Sequence, residues 1–116
     1  GLRYHGDSPL VSQLFHEKLL EAVAVPQVAT FEAGVQFARA EGIIPAPESC
    51  HAIRAAIDEA LRCKATGEAK TILFCLTGHG HFDMASYDKF FSGQLEDYEY
   101  PQEAIAESLK HLPKVG

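Results

Sequence analysis

The chain has 116 residues, of which 47% are hydrophobic and 22% are charged, and this balance is typical of a single globular domain over residues 1–116. Sixteen acidic residues against ten scattered basic ones make nucleic acids and anionic membranes poor candidates as partners. No apolar stretch approaches the ~20 residues that are needed to span a bilayer.

The first predicted elements are a loop, a helix and an extended segment. Residues 1–7 hold two glycines and predict the loop. Ser8 is a candidate N-cap and is followed by proline, so we predict a helix over 9–21. Residues 22–28 predict an edge strand or extended segment, because Pro26 cannot donate to a ladder.

Two longer helices follow. Thr30 is predicted to cap the second helix, and Gly42 is predicted to end it. The third helix is predicted over 47–66, because its apolar residues recur at helical spacing. Gly67 is expected to end it.

The second half of the chain predicts a buried strand and two more helices. Residues 70–76 are apolar without alternation, which is typical of a strand covered on both faces. Asp83 is predicted to cap a fourth helix that runs through Phe91 and stops at Gly93. A last helix is expected over 101–112.

Helices that alternate with two strands predict an α/β fold, namely a partial three-layer αβα unit with a small parallel sheet. Two strands do not make a stable sheet on their own. We therefore expect the chain to be part of a larger α/β domain, or to complete its sheet by oligomerisation. Three cysteines without CxxC spacing predict reduced thiols and a cytoplasmic protein.

The loop after the predicted buried strand, Thr77-Gly78-His79-Gly80-His81, is the main candidate site. Ligands of open α/β sheets bind outside the carboxyl ends of the strands, and glycines let the backbone approach a ligand. Two other interpretations remain open. The glycines serve only a tight turn, or His79, His81 and Asp83 hold the metal of a small metal-dependent enzyme.

Glu41 is the second candidate position. A carboxylate at the carboxyl end of a helix meets an unfavourable helix dipole. That mild local cost is consistent with a functional role, although a glutamate on the surface is also common.

Several segments together resemble one known family. EGIIPAPES over residues 41–49, followed by His51-Ala52, resembles a segment of tryptophan synthase β subunits. LTGHGHFD over residues 76–83 resembles their second, divergent class, and so do GLRYHG at the start of the chain and TFEAGVQFARAEG over 30–42. The resemblance covers essentially the whole chain and corresponds to the C-terminal portion of that family.

The resemblance implies a fold-type II pyridoxal-phosphate (PLP) lyase, normally a homodimer, which condenses indole with L-serine to give L-tryptophan. Thr77 matches the family's serine beside the pyridine nitrogen, Gly78 lies against the same site, and Glu41 matches a glutamate beside the cofactor ring. Cys75 departs from the family, which usually has asparagine there, and this departure suggests relaxed constraint.

The resemblance also implies what this segment lacks. Nothing in it matches the family's Schiff-base lysine, its glycine-rich phosphate loop or its indole-side glutamate. We therefore expect no catalytic residue, no metal, no cofactor bound by this chain alone and no catalysis by it alone. Its expected partner is the missing N-terminal portion or a second copy. The alternative is a free-standing, non-catalytic α/β module for oligomerisation or binding.

Overall fold

A computed structural model describes residues 8–99 and 101–111 of the chain. Its elements, in chain order, are the helices α1 (Pro9–His16), α2 (Gln27–Glu41), α3 (Pro47–Thr66), α4 (Met84–Phe91) and α5 (Gln102–Leu109), with a 3-10 turn over Gly80–Phe82 before α4. The predicted loop over 1–7 and the predicted end of the last helix near Leu112 lie outside the described residues.

The predicted α/β fold is wrong, because the described part of the chain holds helices and no strand or sheet. Backbone pairing between distant segments is limited there to an isolated antiparallel bridge between Pro45 and His79. Residues 70–76 find no strand to pair with, so their apolar side chains pack on helices or face solvent. The Phe74 ring lies 6.0 Å from that of Phe37 on α2, whereas Leu73 is 93% exposed.

The core lies where α2 packs against α3 and α4. The contacting buried side chains at its centre are Phe31 on α2, Cys50 on α3 and Tyr87 on α4. The Phe31 and Tyr87 rings meet edge to face at 5.1 Å, and Phe90 stacks on Phe31 at 5.7 Å. This core is small, so each of its members carries a large share of the packing.

Glycine ends both long helices as predicted. Gly42 and Gly67 adopt left-handed backbone conformations, with φ of 72° and 71°. The third helix runs over the predicted residues, 47–66. The first helix is shorter than predicted, because it ends at His16 and buries no side chain against the rest of the chain.

The predicted cap of α2 is wrong. The predicted edge strand or extended segment over 22–28 is cut short, because no strand forms there and the helix begins at Gln27, directly after Pro26. Thr30 therefore lies inside the helix, and its hydroxyl donates to the Gln27 carbonyl at 2.7 Å. The cap comes instead from a distant residue. An oxygen of the Asp97 carboxylate accepts from the Val28 N–H at 3.0 Å, and it supplies negative charge at the helix N-terminus.

Replacing Asp97 by alanine is expected to destabilise the chain by about 1 kcal/mol, because α2 then loses its side-chain cap. Asp97→Asn keeps an acceptor oxygen and is expected to lose less than half of that. Urea denaturation followed by circular dichroism measures both effects. Equal losses for the two variants would mean that the carboxylate charge, and not the hydrogen bond, stabilises the helix.

The fourth helix follows its prediction closely. It runs over Met84–Phe91 with Asp83 in the N-cap position, although the Asp83 side chain makes no capping hydrogen bond. Gly93 comes two residues after it in a left-handed conformation, with φ of 68°. None of the helices within the described ranges is both long and apolar enough to cross a membrane.

Candidate functional site

The candidate site forms where two short segments meet. The first, residues 44–46, joins α2 to α3 and is called the strap; the second, residues 77–80, is called the glycine loop. The Gly80 N–H donates to the Ile44 carbonyl at 2.8 Å, and the Ala46 N–H donates to the Gly78 carbonyl at 3.3 Å. The loop is thus tied to the strap at both ends.

Tyr87 anchors the strap to the core. Its hydroxyl donates to the Pro45 carbonyl at 2.6 Å and lies 3.4 Å from the Cys50 sulfur. Burial raises the pKa of Tyr87 above its ordinary value, and the hydrogen bond with Cys50 adds to this rise. Burial likewise raises the pKa of the Cys50 thiol. Both groups therefore stay neutral near pH 7.

Gly80 allows the close approach of loop and strap. A Cβ at this position would lie 2.6 Å from the Pro45 carbonyl oxygen, 2.8 Å from a methyl of Ile44 and 3.0 Å from the Tyr87 ring. Any larger residue would force the two segments apart. Glycine is required here because there is no space for a Cβ. Backbone conformation does not require it, since the φ of Gly80 lies outside the left-handed region.

Gly78 and Thr77 present the open side of the loop. Gly78 has a φ of 97°, which L-residues with side chains rarely adopt. Thr77 is exposed, and its hydroxyl lies 3.2 Å from the hydroxyl of Ser49. Two of the three predicted cofactor residues are thus consecutive in the chain and exposed on one edge of the loop.

The third predicted residue is Glu41. It is the last residue of α2 and is exposed, three residues before the strap begins. Within the described residues, its carboxylate has no hydrogen bond or ion pair to Thr77 or Gly78.

The alternative metal site does not assemble. The His79 and His81 rings lie 4.8 Å apart, but His79 Nδ1 accepts the His81 N–H at 3.2 Å, so this ring atom is already engaged. Across residues 8–99 and 101–111, no three histidine, cysteine, aspartate or glutamate side chains are placed so that they could hold a metal ion.

Sequence reasoning missed two residues that shape the site, Ser49 and Tyr87. Ser49 stands in the EGIIPAPES segment, so the motif pointed near it, but no local pattern indicated a contact 28 residues away. Tyr87 resembles any other core aromatic of an amphipathic helix. Its hydrogen bond to the strap depends on the tertiary structure alone.

Comparison with known proteins supports the predicted resemblance. The chain is 70% identical over 95 residues to tryptophan synthase beta chain 2 of Methanosarcina acetivorans. The aligned residues are 82% of this chain and 22% of the relative. The chain is 63% identical over 97 residues to the protein of the same name from Aquifex aeolicus, covering 84% of this chain and 22% of the relative.

A more distant relative matches nearly the whole chain. Tryptophan synthase beta chain 2 of Pyrococcus furiosus is 44% identical over 113 residues, covering 97% of this chain and 25% of the relative. No family model matches the chain. The predicted resemblance is confirmed: the chain is homologous to the C-terminal portion of tryptophan synthase beta chains named beta chain 2. It spans about a fifth to a quarter of the length of these curated relatives.

Proposed function

We propose that this chain is the C-terminal part of a PLP-dependent tryptophan synthase of the beta type, and that it forms one side of the cofactor site without catalysing the reaction alone. The observation that carries the proposal is the exposed residue Thr77, which lies on a loop that Ser49 and the strap hold in place. The sequence identity between the chain and relatives named tryptophan synthase beta chain 2 supports the assignment.

The Thr77 hydroxyl of the loop suits the edge of a pyridine ring that carries the nitrogen. A threonine hydroxyl can donate to an unprotonated ring nitrogen or accept from a protonated one. Thr77 and Gly78 would lie along this edge and orient the ring, and Glu41 is assigned beside the ring by resemblance alone. When bound, PLP supplies an electron sink for a carbanion at the substrate's α-carbon.

The surface of the chain supports a need for further polypeptide. Its accessible area is 9484 Å², whereas a compact protein of 12.7 kDa has about 6,200 Å². Its radius of gyration is 16.8 Å, against about 13 Å for a compact domain of this length. Large apolar side chains contribute to this exposed surface, for example Leu73 and Leu10, which are 93% and 76% exposed. We infer that an N-terminal portion like that of the relatives covers this surface.

The first experiment compares the chain alone with a fusion protein. The fusion joins the part of the Methanosarcina acetivorans relative that precedes the matched segment to this chain. With indole, L-serine and PLP, we expect tryptophan from the fusion and none from the chain alone. Synthesis by the purified chain alone would contradict the proposal. A folded fusion that neither binds PLP nor makes tryptophan would favour a free-standing binding module instead.

The second experiment tests the assigned cofactor contact. In the fusion, Thr77→Val is expected to weaken PLP binding about tenfold, because it removes one hydrogen bond to the ring nitrogen. Thr71→Val is the matched control, since Thr71 is also exposed but lies outside the loop. PLP fluorescence titration measures both dissociation constants. Equal PLP dissociation constants for the two variants would show that Thr77 does not contact the cofactor.

A further inference from the structure

We propose that Ser49 is a positioning residue for Thr77, so that the cofactor contact of the glycine loop depends on a buried hydroxyl of α3. This inference rests on the proposed function, because the group that Thr77 contacts is the ring of PLP. Ser49 itself is 2% exposed and cannot be the residue that meets the cofactor.

The Oγ of Ser49 contacts three separate atoms of Thr77. It donates to the Thr77 carbonyl at 2.9 Å, accepts from the Thr77 N–H at 3.1 Å and lies 3.2 Å from the Thr77 hydroxyl. A serine hydroxyl offers one donor and two acceptor sites. Thr77 alone thus occupies the donor site and both acceptor sites of the buried Ser49 hydroxyl.

These contacts restrict both the backbone and the side chain of Thr77. The N–H and carbonyl contacts hold the residue against the start of α3, and the hydroxyl contact selects one orientation of the threonine side chain. When the Ser49 proton bonds to the carbonyl, Thr77 donates to Ser49 and turns its lone pairs outward. When Ser49 donates to the Thr77 hydroxyl, the threonine proton is free to point outward.

The position of Ser49 makes the restraint rigid. It is the third residue of α3, whose first turn begins directly after the strap. Because the strap also binds Gly78 and Gly80, Thr77 is held from two directions by one continuous segment. A ligand contact that is oriented before binding loses less conformational entropy when it forms.

The test uses the fusion protein with Ser49→Ala. We expect the dissociation constant for PLP to rise about tenfold, since the Thr77 hydroxyl is no longer oriented. We also expect faster hydrogen exchange of the Thr77 amide, whose acceptor is gone; this readout needs no cofactor. Ser108→Ala is the matched control, because its hydroxyl donates to a helix carbonyl on α5 at 2.9 Å.

A double variant separates a positioning role from a structural one. If Ser49 acts through Thr77, adding Ser49→Ala to Thr77→Val changes PLP binding less than twofold. Additive losses would overturn the inference. If Ser49→Ala does not fold, Ser49→Cys replaces it, because a thiol is a weaker donor and acceptor than a hydroxyl. The same results in the double variant, a change of less than twofold or additive losses, then support or overturn the inference.

The inference and the proposed function fail in different ways. No effect of Thr77→Val on PLP binding would contradict the proposed function itself. A clear effect of Thr77→Val together with normal binding by Ser49→Ala would leave the proposed function intact and refute the role of Ser49.

Discussion

Replacing Gly80 by alanine is expected to destabilise the chain by about 3 kcal/mol, at the upper end of the usual cost of overpacking. The added methyl would meet the Pro45 carbonyl oxygen at 2.6 Å and an Ile44 methyl at 2.8 Å. The carbonyl is backbone and already accepts the Tyr87 hydroxyl, so it cannot move without breaking that bond. Separation of the loop from the strap would also break the Gly80–Ile44 hydrogen bond.

Gly67→Ala is the control for this prediction. Gly67 has a φ of 71° and open space around the position of a Cβ, so alanine there meets strain of about 1 kcal/mol but no neighbour. Urea denaturation followed by circular dichroism compares the two variants. A Gly80→Ala variant that is as stable as Gly67→Ala would show that the loop and strap separate freely.

Local rules predicted the elements that depend on local chemistry. Gly42 and Gly67 end their helices because a left-handed residue there satisfies the last carbonyls, and this requirement is visible in the sequence. The start of α2 was mispredicted for the opposite reason. Its cap is supplied by Asp97, 69 residues away, while the nearest capping residue, Thr30, is buried inside the helix.

The strand prediction failed because a strand depends on its neighbours. Residues 70–76 have the composition of a strand buried on both faces, but a ladder needs a second backbone at hydrogen-bonding distance. The described residues provide none, so the segment lies partly against α2 and α3, and Leu73 stays exposed. The composition of a segment indicates that it can form a strand, but the strand forms only where another segment of the polypeptide pairs with it.

The candidate site was predictable as a location but not as an arrangement. The motif resemblance pointed to Thr77, Gly78 and Glu41, and in the structure the loop that carries the first two is hydrogen-bonded to the strap. The residues that hold this edge, Ser49 and Tyr87, act through contacts over 28 and 42 positions of sequence. Contacts of that range follow from packing and leave no periodic pattern to detect.

Replacing Gly34 by alanine is expected to destabilise the chain by about 3 kcal/mol, because the new methyl would overlap the Cys50 sulfur. It would also lie 3.1 Å from the Tyr87 hydroxyl oxygen, in the contact that anchors the strap. Cys50 is fully buried, so its sulfur has no solvent to move into. The loss is expected although alanine is the better helix former by up to ~1 kcal/mol.

The double variant Gly34→Ala/Cys50→Ala is expected to recover most of this stability. Removal of the sulfur leaves the Cβ of residue 50 at 3.5 Å from the new methyl, which is ordinary van der Waals contact, and the Tyr87 hydroxyl oxygen at 3.1 Å, which must shift by only a few tenths of an ångström. Cys50→Ala alone is expected to cost about 1 kcal/mol for the buried atom that it removes. The double variant should therefore lie close to wild type, with a coupling energy of about 2 kcal/mol or more.

Cys63→Ala provides the matched control for this cycle. Cys63 is a second free thiol on α3 but lies outside the core cluster, so its combination with Gly34→Ala should be additive. Urea denaturation of all six proteins, including wild type, measures the two cycles. Additivity in the Cys50 cycle would mean that α2 and α3 shift apart to admit the methyl. In that case the packing that fixes Cys50, Tyr87 and the strap is softer than their contacts indicate. The glycine loop would then be held mainly by Ser49 and by its two hydrogen bonds to the strap.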